Sequence, residues 1–284
     1  MKRLAMILLV PILLALLLGY SGVAAFLAFN QQRFILPARV NSVSAPDVAL
    51  NYAYTTLTTP EGETLQGILF LPADETARPV TELVVAFAGN THNPIGFAEF
   101  LKTQVYAGRK DVVIAAFSYR GYPNGLTPPS SGTPSQAAMY ADAEFIYDQL
   151  TARFKPQQVK VVGYSIGTAV AVHLASVRHI DAMALVAPIA SVRRIVQGRY
   201  PWLPIRLLLR HPFATEDIIA DIATPTTLIY SPTDGLVPAD HVTQVLHGKN
   251  PSLPLVAVEN TTHVSLAVSP RLPELLQKAL GLTP

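Results

Sequence analysis

Val159-Lys-Val-Val-Gly163-Tyr164-Ser165-Ile166-Gly167 is a short apolar run that leads into the pattern Gly-x-Ser-x-Gly. The residues that follow, Thr168 to Ala175, are compatible with a helix, so the stretch predicts a turn between a strand and a helix. A serine on such a sharp, strained turn needs positions without Cβ two residues before and after it. Gly163 and Gly167 meet that need, and Ser165 is therefore predicted to be the nucleophile. The start of the helix favours negative charge beside it.

A weak hydroxyl nucleophile needs a general base, and the base needs a third group that holds its tautomer. The strand-like run Thr226 to Tyr230 is followed by a turn that contains Asp234, and the run Leu255 to Val258 is followed by His263. The carboxyl ends of parallel strands lie at one edge of a sheet, where ligands bind. Ser165, Asp234 and His263 are therefore predicted to form a catalytic triad.

Each of these assignments has an alternative. The pattern Gly-x-Ser-x-Gly arises by chance in roughly one chain in ten of this length, since Gly and Ser each make up about 7% of residues. Asp234 precedes Gly235, as an ordinary turn residue does, and His263 also fits a surface loop. Asp217 and Asp240 are rivals as the acid, but neither directly follows a strand. The histidines that fall in predicted helices are expected to be structural; they are His173, His241 and His247.

Short β-branched or aromatic runs alternate with helical stretches after about residue 50. The runs from Leu83 onward are continuously apolar, as strands buried on both faces are, and helical patterns such as Ser135 to Phe154 and Thr168 to Arg178 separate them. The predicted class is α/β, with an eight-stranded, mostly parallel sheet and helices on both faces. The predicted strands are Tyr52–Thr58 and Thr64–Leu71, which form an antiparallel hairpin, and then Leu83–Phe87, Val112–Phe117, Val159–Val162, Ala182–Val186, Thr226–Tyr230 and Leu255–Val258.

The N-terminal segment, residues 1–30, is predicted to lie in a membrane. No charged side chain occurs from Leu4 to Phe29, a run longer than the roughly 20 residues that cross a bilayer as a helix. A cleaved signal peptide is the alternative, because Lys2 and Arg3 precede the run and Val23-Ala24-Ala25 offers a cleavage site. The run exceeds the roughly 7–15 apolar residues of a usual signal peptide, which favours a retained single-pass anchor. With the N-terminus inside, either interpretation places the remaining chain outside the cytoplasm.

Residues 31–50 are predicted to be a linker and residues 51–284 a single α/β domain. A longer Arg- and Leu-rich stretch at 191–223, with Pro201 and Pro204, is where this domain is expected to carry a small cap. The stretch mixes Arg with Trp202 and many Leu. It therefore fits either an element that lies along the membrane interface or a cap helix with a solvated basic face.

Composition limits the classes of partner. The 284 residues carry 21 Lys and Arg against 19 Asp and Glu, so there is no surplus of positive charge to bind nucleic acid. The absence of cysteine excludes disulfides, a thiolate metal site and a cysteine nucleophile. We expect neither a metal nor a cofactor. Charged residues are 14% of the chain, against about 25% in ordinary soluble domains, which favours a protein beside lipid.

Further segments carry a resemblance to a known family. Gln32-Arg-Phe-Ile-Leu-Pro37 is similar to the Gln-Arg and Pro landmarks that follow its anchor, and Phe117-Ser-Tyr-Arg-Gly-Tyr122 to its Tyr-Arg-Gly-Tyr loop. Tyr200-Pro-Trp-Leu-Pro204 with Arg206-Leu-Leu-Leu-Arg210 is similar to its cap, and Asp234-Gly-Leu-Val-Pro238 to its acid loop. From Gln32 to its end, the chain resembles the membrane-anchored abhydrolase-domain serine hydrolases of the α/β-hydrolase superfamily.

The resemblance also implies an oxyanion hole. Val84-Val-Ala-Phe-Ala88-Gly89-Asn90 matches the family's strand that leads to His-Gly-Asn, with Ala88 in place of the histidine. The donors are main-chain groups, so the N–H groups of Asn90 and Ile166 are expected to form the hole, although the packing that fixes the loop differs.

Three further side chains are candidates for the pocket: His92, Tyr164 and Arg120. His92 lies near the oxyanion loop and is expected in the pocket wall. Arg120 presents a bidentate fork that suits a substrate carboxylate or phosphate. The alternative for Arg120 is a set of structural bonds behind the site.

The expected activity is hydrolysis of carboxylic esters through an acyl-enzyme intermediate, on a small-molecule or lipid-like acyl substrate. Thioesters and amides use the same constellation, so a thioesterase or a peptidase stays open, as does the oligomeric state. A catalytically inert, membrane-bound binding or scaffold protein is the alternative of another class, because a fold does not imply a function and Ala88 departs from the family pattern.

Overall fold

One eight-stranded sheet organises the protein in a computed structural model that describes residues 2–72 and 79–282. The strands are β1 (Tyr52–Thr58), β2 (Thr64–Phe70), β3 (Glu82–Phe87), β4 (Val112–Phe117), β5 (Gln158–Tyr164), β6 (Ala182–Val186), β7 (Thr226–Tyr230) and β8 (Leu255–Ala257). Their spatial order is β1-β2-β4-β3-β5-β6-β7-β8. The pairs β1–β2 and β2–β4 are antiparallel, and all the others are parallel. The predicted α/β class and mostly parallel sheet are confirmed.

The helices are α1 (Lys2–Ile35), α2 (Pro94–Phe100), α3 (Gln136–Phe154), α4 (Ile166–Val177), α5 (Val192–Arg199), α6 (Ile205–Leu208), α7 (His247–Lys249) and α8 (Leu272–Ala279). Wider helical turns at Leu101–Val105 and His241–Leu246 continue α2 and precede α7. Single tight turns occur at Thr215–Asp217, Ile219–Asp221 and Ser265–Val268.

Helices cover both faces of the sheet because its central strands are apolar on both sides. Every residue of β3 and β4 is buried. Alternate residues of β3 point to opposite layers, Val85 toward the core beneath α3 and α4, and Val84 toward the core beneath α2 and α8. Burial on both faces explains why these strands are continuously apolar in sequence.

The N-terminal helix α1 is the one helix in the described part of the chain that is long and apolar enough to cross a membrane; the candidate span is Pro11–Ile35, and its most apolar 18 residues have a mean hydropathy of 2.3. Every side chain from Pro11 to Tyr20 is exposed. The helix continues to Ile35, five residues into the segment expected to be the linker. Its last turns contact the cap: Ala24 packs with Leu203 and Ile205.

The cap, residues 191–223, follows β6 and contains the short helices α5 and α6. Glu216 joins its two ends, because its carboxylate accepts a hydrogen bond from Ser191 Oγ at 2.8 Å and forms ion pairs with Arg193 and Arg194. Burial raises the pKa of Glu216, but the bonds from Arg194, Ser191 and Arg193 outweigh that effect, so the pKa lies below its ordinary value. The carboxylate therefore stays ionised at neutral pH and holds the two ends of the cap together.

Candidate active site

The serine turn joins β5 to α4 in an unusual backbone conformation. Ser165 has φ 53° and ψ −119°, a region that non-glycine residues occupy only under strain. A Cβ at Gly163 would lie 2.8 Å from the carbonyl oxygen of Gly167, and a Cβ at Gly167 would lie 2.1 Å from that of Phe87. Both distances are too short for a real side chain. The two glycines are therefore required by the close approach of the neighbouring backbone, as the sequence pattern predicts.

Ser165, His263 and Asp234 meet at the carboxyl edge of the sheet. His263 Nε2 lies 3.0 Å from Ser165 Oγ, and His263 Nδ1 lies 2.7 Å from Asp234 Oδ2. Asp234 comes four residues after the end of β7, and His263 six residues after the end of β8. Hydrogen-bonding distances thus join three side chains that are up to 98 positions apart in sequence.

The loop after β7 holds Asp234 by its second oxygen. Asp234 Oδ1 accepts hydrogen bonds from the N–H groups of Leu236 and Val237, each at 2.8 Å. Burial raises the pKa of Asp234, but the bonds from His263, Val237 and Leu236 outweigh that effect, so the pKa lies below its ordinary value. The carboxylate is therefore ionised at neutral pH and fixed in one orientation toward the imidazole.

Contacts from two neighbouring elements fix the loop that carries His263. The hydroxyl of Tyr164, the residue before the serine, donates a hydrogen bond to the carbonyl oxygen of His263. The hydroxyls of Ser231 and Thr233 both donate to the carbonyl oxygen of Thr261. Sequence reasoning missed these contacts, although hydroxyl residues directly after β7 were a visible signal.

The histidine and aspartate rivals lie elsewhere. His173 is on α4, where its ring stacks on Tyr140 with 4.0 Å between centroids and its Nε2 lies 2.9 Å from Glu144 Oε1. Asp217 is exposed in the cap. Asp240 is also exposed and lies three residues after Val237, whose N–H binds Asp234. The expectation that His173 is structural is therefore confirmed.

One expected oxyanion donor, Ile166, directly follows the serine, and the other, Asn90, follows the end of β3, whose Phe87 and neighbouring Ala88 approach Gly167. Among the residues that the structure describes, neither the N–H of Asn90 nor that of Ile166 donates a backbone hydrogen bond. Ile166 is the first residue of α4, so its N–H is one of the free donors at the helix start. Both N–H groups are therefore available to a ligand.

Tyrosines fix the oxyanion loop in place of the family's histidine. Tyr119 Oη donates to the carbonyl oxygen of Ala88 at 2.8 Å, and Tyr122 Oη donates to Asn90 Oδ1 at 2.5 Å. Asn90 Nδ2 in turn donates to the carbonyl oxygen of Ile35, at the end of α1, at 2.7 Å. The loop is thus held on both sides of Gly89 without help from a side chain at position 88.

Two of the three pocket candidates lie at the site. The His92 ring stands 4.4 Å from the Tyr164 ring, centroid to centroid, in an edge-to-face contact. Burial and the nearby His263 lower the pKa of His92, so its ring is neutral in the pocket wall at neutral pH. Tyr164 acts through the His263 backbone, as described above.

The assignment of Arg120 to the pocket is wrong. Its guanidinium binds Asp142 of α3 in a bidentate pair, with Nη2–Oδ1 at 2.7 Å and Nε–Oδ2 at 3.0 Å, and also contacts Glu61 at 3.4 Å. The fork that suits a substrate carboxylate is occupied by a buried carboxylate of the protein. The structural alternative for Arg120 is therefore the correct one.

The described residues contain no group of three or more His, Cys, Asp or Glu side chains arranged to hold a metal ion.

Comparisons with known proteins agree with this architecture. A family model described as alpha/beta hydrolase fold matches residues 83–207. An uncharacterized protein of Mycobacterium tuberculosis (strain H37Rv) is 30% identical over 232 residues, which cover 81% of this chain and 79% of that protein. The lysophosphatidylserine lipase ABHD12 of Rattus norvegicus is 25% identical over 202 residues, which cover 59% of this chain and 48% of the lipase. Among solved structures, the Pyrococcus furiosus esterase Pf2001 matches with a TM-score of 0.64 and 20% identity, covering 86% of this chain and 99% of the esterase.

Proposed function

The chain belongs to the α/β-hydrolase family, and on that basis we propose that it is a membrane-anchored serine hydrolase that cleaves carboxylic esters. The observation that carries the proposal is the continuous chain of hydrogen bonds from Ser165 Oγ through His263 to Asp234. In this proposal Ser165 is the nucleophile, His263 the general base and Asp234 the group that orients it.

Acylation begins when His263 Nε2 takes the proton from Ser165 Oγ. The oxygen attacks the ester carbonyl carbon, and the N–H groups of Asn90 and Ile166 hold the oxyanion that forms. When this intermediate collapses, the bond from carbon to the alcohol oxygen breaks and His263 gives its proton to the departing alcohol. Asp234 stabilises the imidazolium between the two proton transfers.

Deacylation reverses these roles with water in place of the alcohol. His263 takes a proton from water, whose oxygen adds to the acyl carbon. The bond from the acyl carbon to Ser165 Oγ then breaks, and the serine recovers its proton from His263. Each oxyanion donor is expected to contribute about 2.7–4 kcal/mol of transition-state stabilisation, and the two tyrosine bonds described above support their geometry.

A lipid-like acyl ester is the proposed substrate class. One relative is named a lysophosphatidylserine lipase and one structural neighbour an esterase, and α1 is apolar along the part that projects from the domain. Thioesters and amides fit the same mechanism. Measuring the turnover of an ester, a thioester and an amide that share the same acyl group will show which of the three substrate classes the protein prefers.

We also propose that α1 is a retained anchor with the N-terminus inside and the catalytic domain outside the cytoplasm. The side-chain contacts that α1 makes with the cap support retention, because cleavage after Ala25 would remove two of them, at Tyr20 and Ala24.

The proposed function is tested with Ser165→Ala in the full-length protein, assayed on p-nitrophenyl butyrate. Turnover is expected to fall by about 10⁶-fold, as for removal of the nucleophile in other serine hydrolases, while the melting temperature changes little. Ser176→Ala, on an exposed serine of α4, is the matched control and keeps wild-type turnover. Equal turnover by Ser165→Ala and the wild type would refute the role of Ser165. An absence of ester, thioester and amide turnover in the wild type would favour the inert binding protein.

A further inference from the structure

An open cavity of about 710 Å³ lies between α1, the cap and the loop that follows Asp234. This volume is within the range of about 300–1,000 Å³ that small-molecule sites have. Its lining residues come from three parts of the chain, which are Leu27, Phe34 and Ile35 of α1, Ile195, Leu208 and Leu209 of the cap, and Leu236 and Pro238 of the loop. The walls are therefore mainly aliphatic and aromatic.

Two walls of the cavity touch the candidate active site directly. On one side, the carbonyl oxygen of Ile35 accepts the hydrogen bond from the Asn90 side chain. On the other side, the N–H of Leu236 donates to Asp234 Oδ1. Two lining residues are thus hydrogen-bonded to the residue expected to hold the oxyanion and to the residue expected to orient the base.

Two of the polar side chains in the lining, Gln31 and Arg194, are already bonded within the protein. Gln31 donates to the carbonyl oxygen of Leu208 at 3.0 Å and accepts from the N–H of Arg210 at 2.7 Å. Arg194 forms an ion pair with the buried carboxylate of Glu216. The buried Nδ1 of His241 has no hydrogen-bond partner among the described residues. Most of the remaining wall is apolar, which suits a hydrocarbon chain better than a polar headgroup.

The cap beside the cavity has the composition of a membrane–water interface. Tyr20 of α1 donates a hydrogen bond to the carbonyl oxygen of Trp202 at 3.0 Å, and its ring contacts that of Trp202 edge to face. Trp202 is 54% exposed and Leu207 is 85% exposed. Tyr and Trp concentrate at bilayer surfaces. With the exposed stretch of α1 before Tyr20 in the hydrocarbon, this rim of the cavity lies at the bilayer surface.

We propose that this cavity binds the long acyl chain of a single-chain amphiphile that enters from the bilayer, with α1 serving as one wall of the acyl site. The chain enters beside Trp202 and runs between α1 and the cap, and its ester carbonyl lies at Ser165. The fate of the ester rests on the proposed function above. Binding of the chain does not, because it depends on the cavity alone.

A large side chain at position 198 would fill the cavity while leaving the proposed catalytic residues unchanged. Gly198 lines the cavity in the helix α5, and a Cβ built on it meets nothing within 4 Å. Gly248 is also a helical glycine with nothing within 4 Å, but it lies outside the cavity. Gly198→Trp is therefore the filling variant and Gly248→Trp its matched control.

The first measurement is the chain-length profile of full-length protein in nanodiscs, with p-nitrophenyl esters from acetate to palmitate. Gly198→Trp is expected to lower the ratio of kcat/KM for palmitate to that for acetate by about tenfold or more, since each methylene excluded from an apolar pocket has a large effect. Gly248→Trp keeps the wild-type ratio. If Gly198→Trp also keeps it, the cavity does not bind the acyl chain.

The second measurement needs no turnover. Ser165→Ala protein in nanodiscs is photolabelled with a palmitic acid that carries a diazirine near its methyl end, and the labelled peptides are identified. Label is expected on residues 27–35 and 194–209, and the added Gly198→Trp substitution abolishes it whereas Gly248→Trp does not. Equal labelling in the two variants, or no label on these segments, overturns the proposal. Selective labelling together with no ester turnover in the wild type refutes only the proposed function.

Discussion

At the scale of single residues, the site depends on a strained serine that its surroundings hold in place. Ser165 has a positive φ, a conformation that costs on the order of 1–3 kcal/mol. The close approach of β3 to the start of α4, at Gly167, leaves the turn no room to relax. The hydroxyl consequently lies 3.0 Å from His263 Nε2.

Gly167→Ala tests this close approach. The added Cβ would lie 2.1 Å from the Phe87 carbonyl oxygen and 2.8 Å from that of Ala88, and backbone atoms cannot swing aside as a side chain does. We expect a loss of about 3 kcal/mol or more in the free energy of unfolding, at the upper end for overpacking. Gly248→Ala, in open space, is expected to stabilise the protein by about 0.5–1 kcal/mol. Equal unfolding midpoints for both variants in urea would contradict the account.

Asp234→Asn tests the orienting carboxylate. We expect kcat to fall by about 10⁴-fold with the fold retained, because an amide holds the wrong imidazole tautomer. The pKa of Asp234 is lower in the folded protein than in the unfolded chain, so its ionised form stabilises the fold above the unfolded pKa of about 3.9. That contribution is lost as the pH falls through the folded pKa.

The difference in melting temperature between wild type and Asp234→Asn is therefore expected to be largest at neutral pH and to shrink toward pH 3. Asp240→Asn changes an exposed side chain and serves as the control. It should change neither kcat nor the melting temperature. A difference in melting temperature that does not change with pH would show that the charge of Asp234 does not stabilise the fold.

The residue types of the site were predictable from sequence, but their supports were not. Gly163, Gly167 and the order Ser, Asp, His follow from the steric and chemical needs of a nucleophile on a turn. The hydrogen bond from Tyr164 to the His263 carbonyl joins residues 99 positions apart, and its existence depends on side-chain directions that no local pattern encodes. The partner of Arg120 could not be named for the same reason, because Asp142 lies on a different element.

At the scale of elements, the contact between α1 and the cap is what the sequence least predicts. The polar run Gln31-Gln32-Arg33 is typical of the end of a membrane helix, yet α1 continues to Ile35. Gln31 is 7% exposed. Its side-chain amide forms hydrogen bonds with the backbone of Leu208 and Arg210 in the cap, so this polar residue can be buried within the helix. A tertiary contact therefore sets this helix end. The β-strands, in contrast, begin and end within two residues of their predicted bounds, because burial in the sheet follows the apolar runs directly.

Gln31→Ala tests the same contact. The variant leaves the Arg210 N–H without its acceptor, and we expect helix–cap docking to weaken by about 1–3 kcal/mol, the effect of an unsatisfied buried group. Amide hydrogen exchange should accelerate at residues 205–211 and stay unchanged in α3. Asn30→Ala removes a bond within α1 alone and should leave the cap protected. Unchanged exchange at the Arg210 amide in Gln31→Ala would mean that the contact contributes nothing to docking.

At the scale of the whole molecule, the protein combines a hydrolase domain with a long apolar helix, α1, whose later residues form one wall of a cavity. Residues 11–20 of α1 are exposed, and residues further along the helix pack on the cap. The α/β class and the mostly parallel sheet could be inferred from the alternation of strands and helices, but the spatial order of the strands was not predicted. The cavity could not be inferred, because its walls come from α1, the cap and the loop after β7, which only the tertiary structure brings together.

Retention of α1 gives a prediction at this scale. The intact mass of protein purified from membranes is expected to include residues 1–30, since a chain that began at Phe26 would lack the contacts of Tyr20 and Ala24 with the cap. Alkaline carbonate washing should leave the protein in the membrane pellet. A mature chain that starts at Phe26, released into the soluble fraction, would identify the segment as a signal peptide.

Every proposed catalytic role depends on Ser165 being an activated nucleophile. The most direct measurement is reaction of the full-length protein with a fluorophosphonate, followed by mass spectrometry of the modified peptide. We predict one covalent adduct on Ser165, with a rate that falls by about 10³-fold or more in His263→Ala. No adduct at Ser165, or an adduct that forms equally fast without His263, would contradict the account.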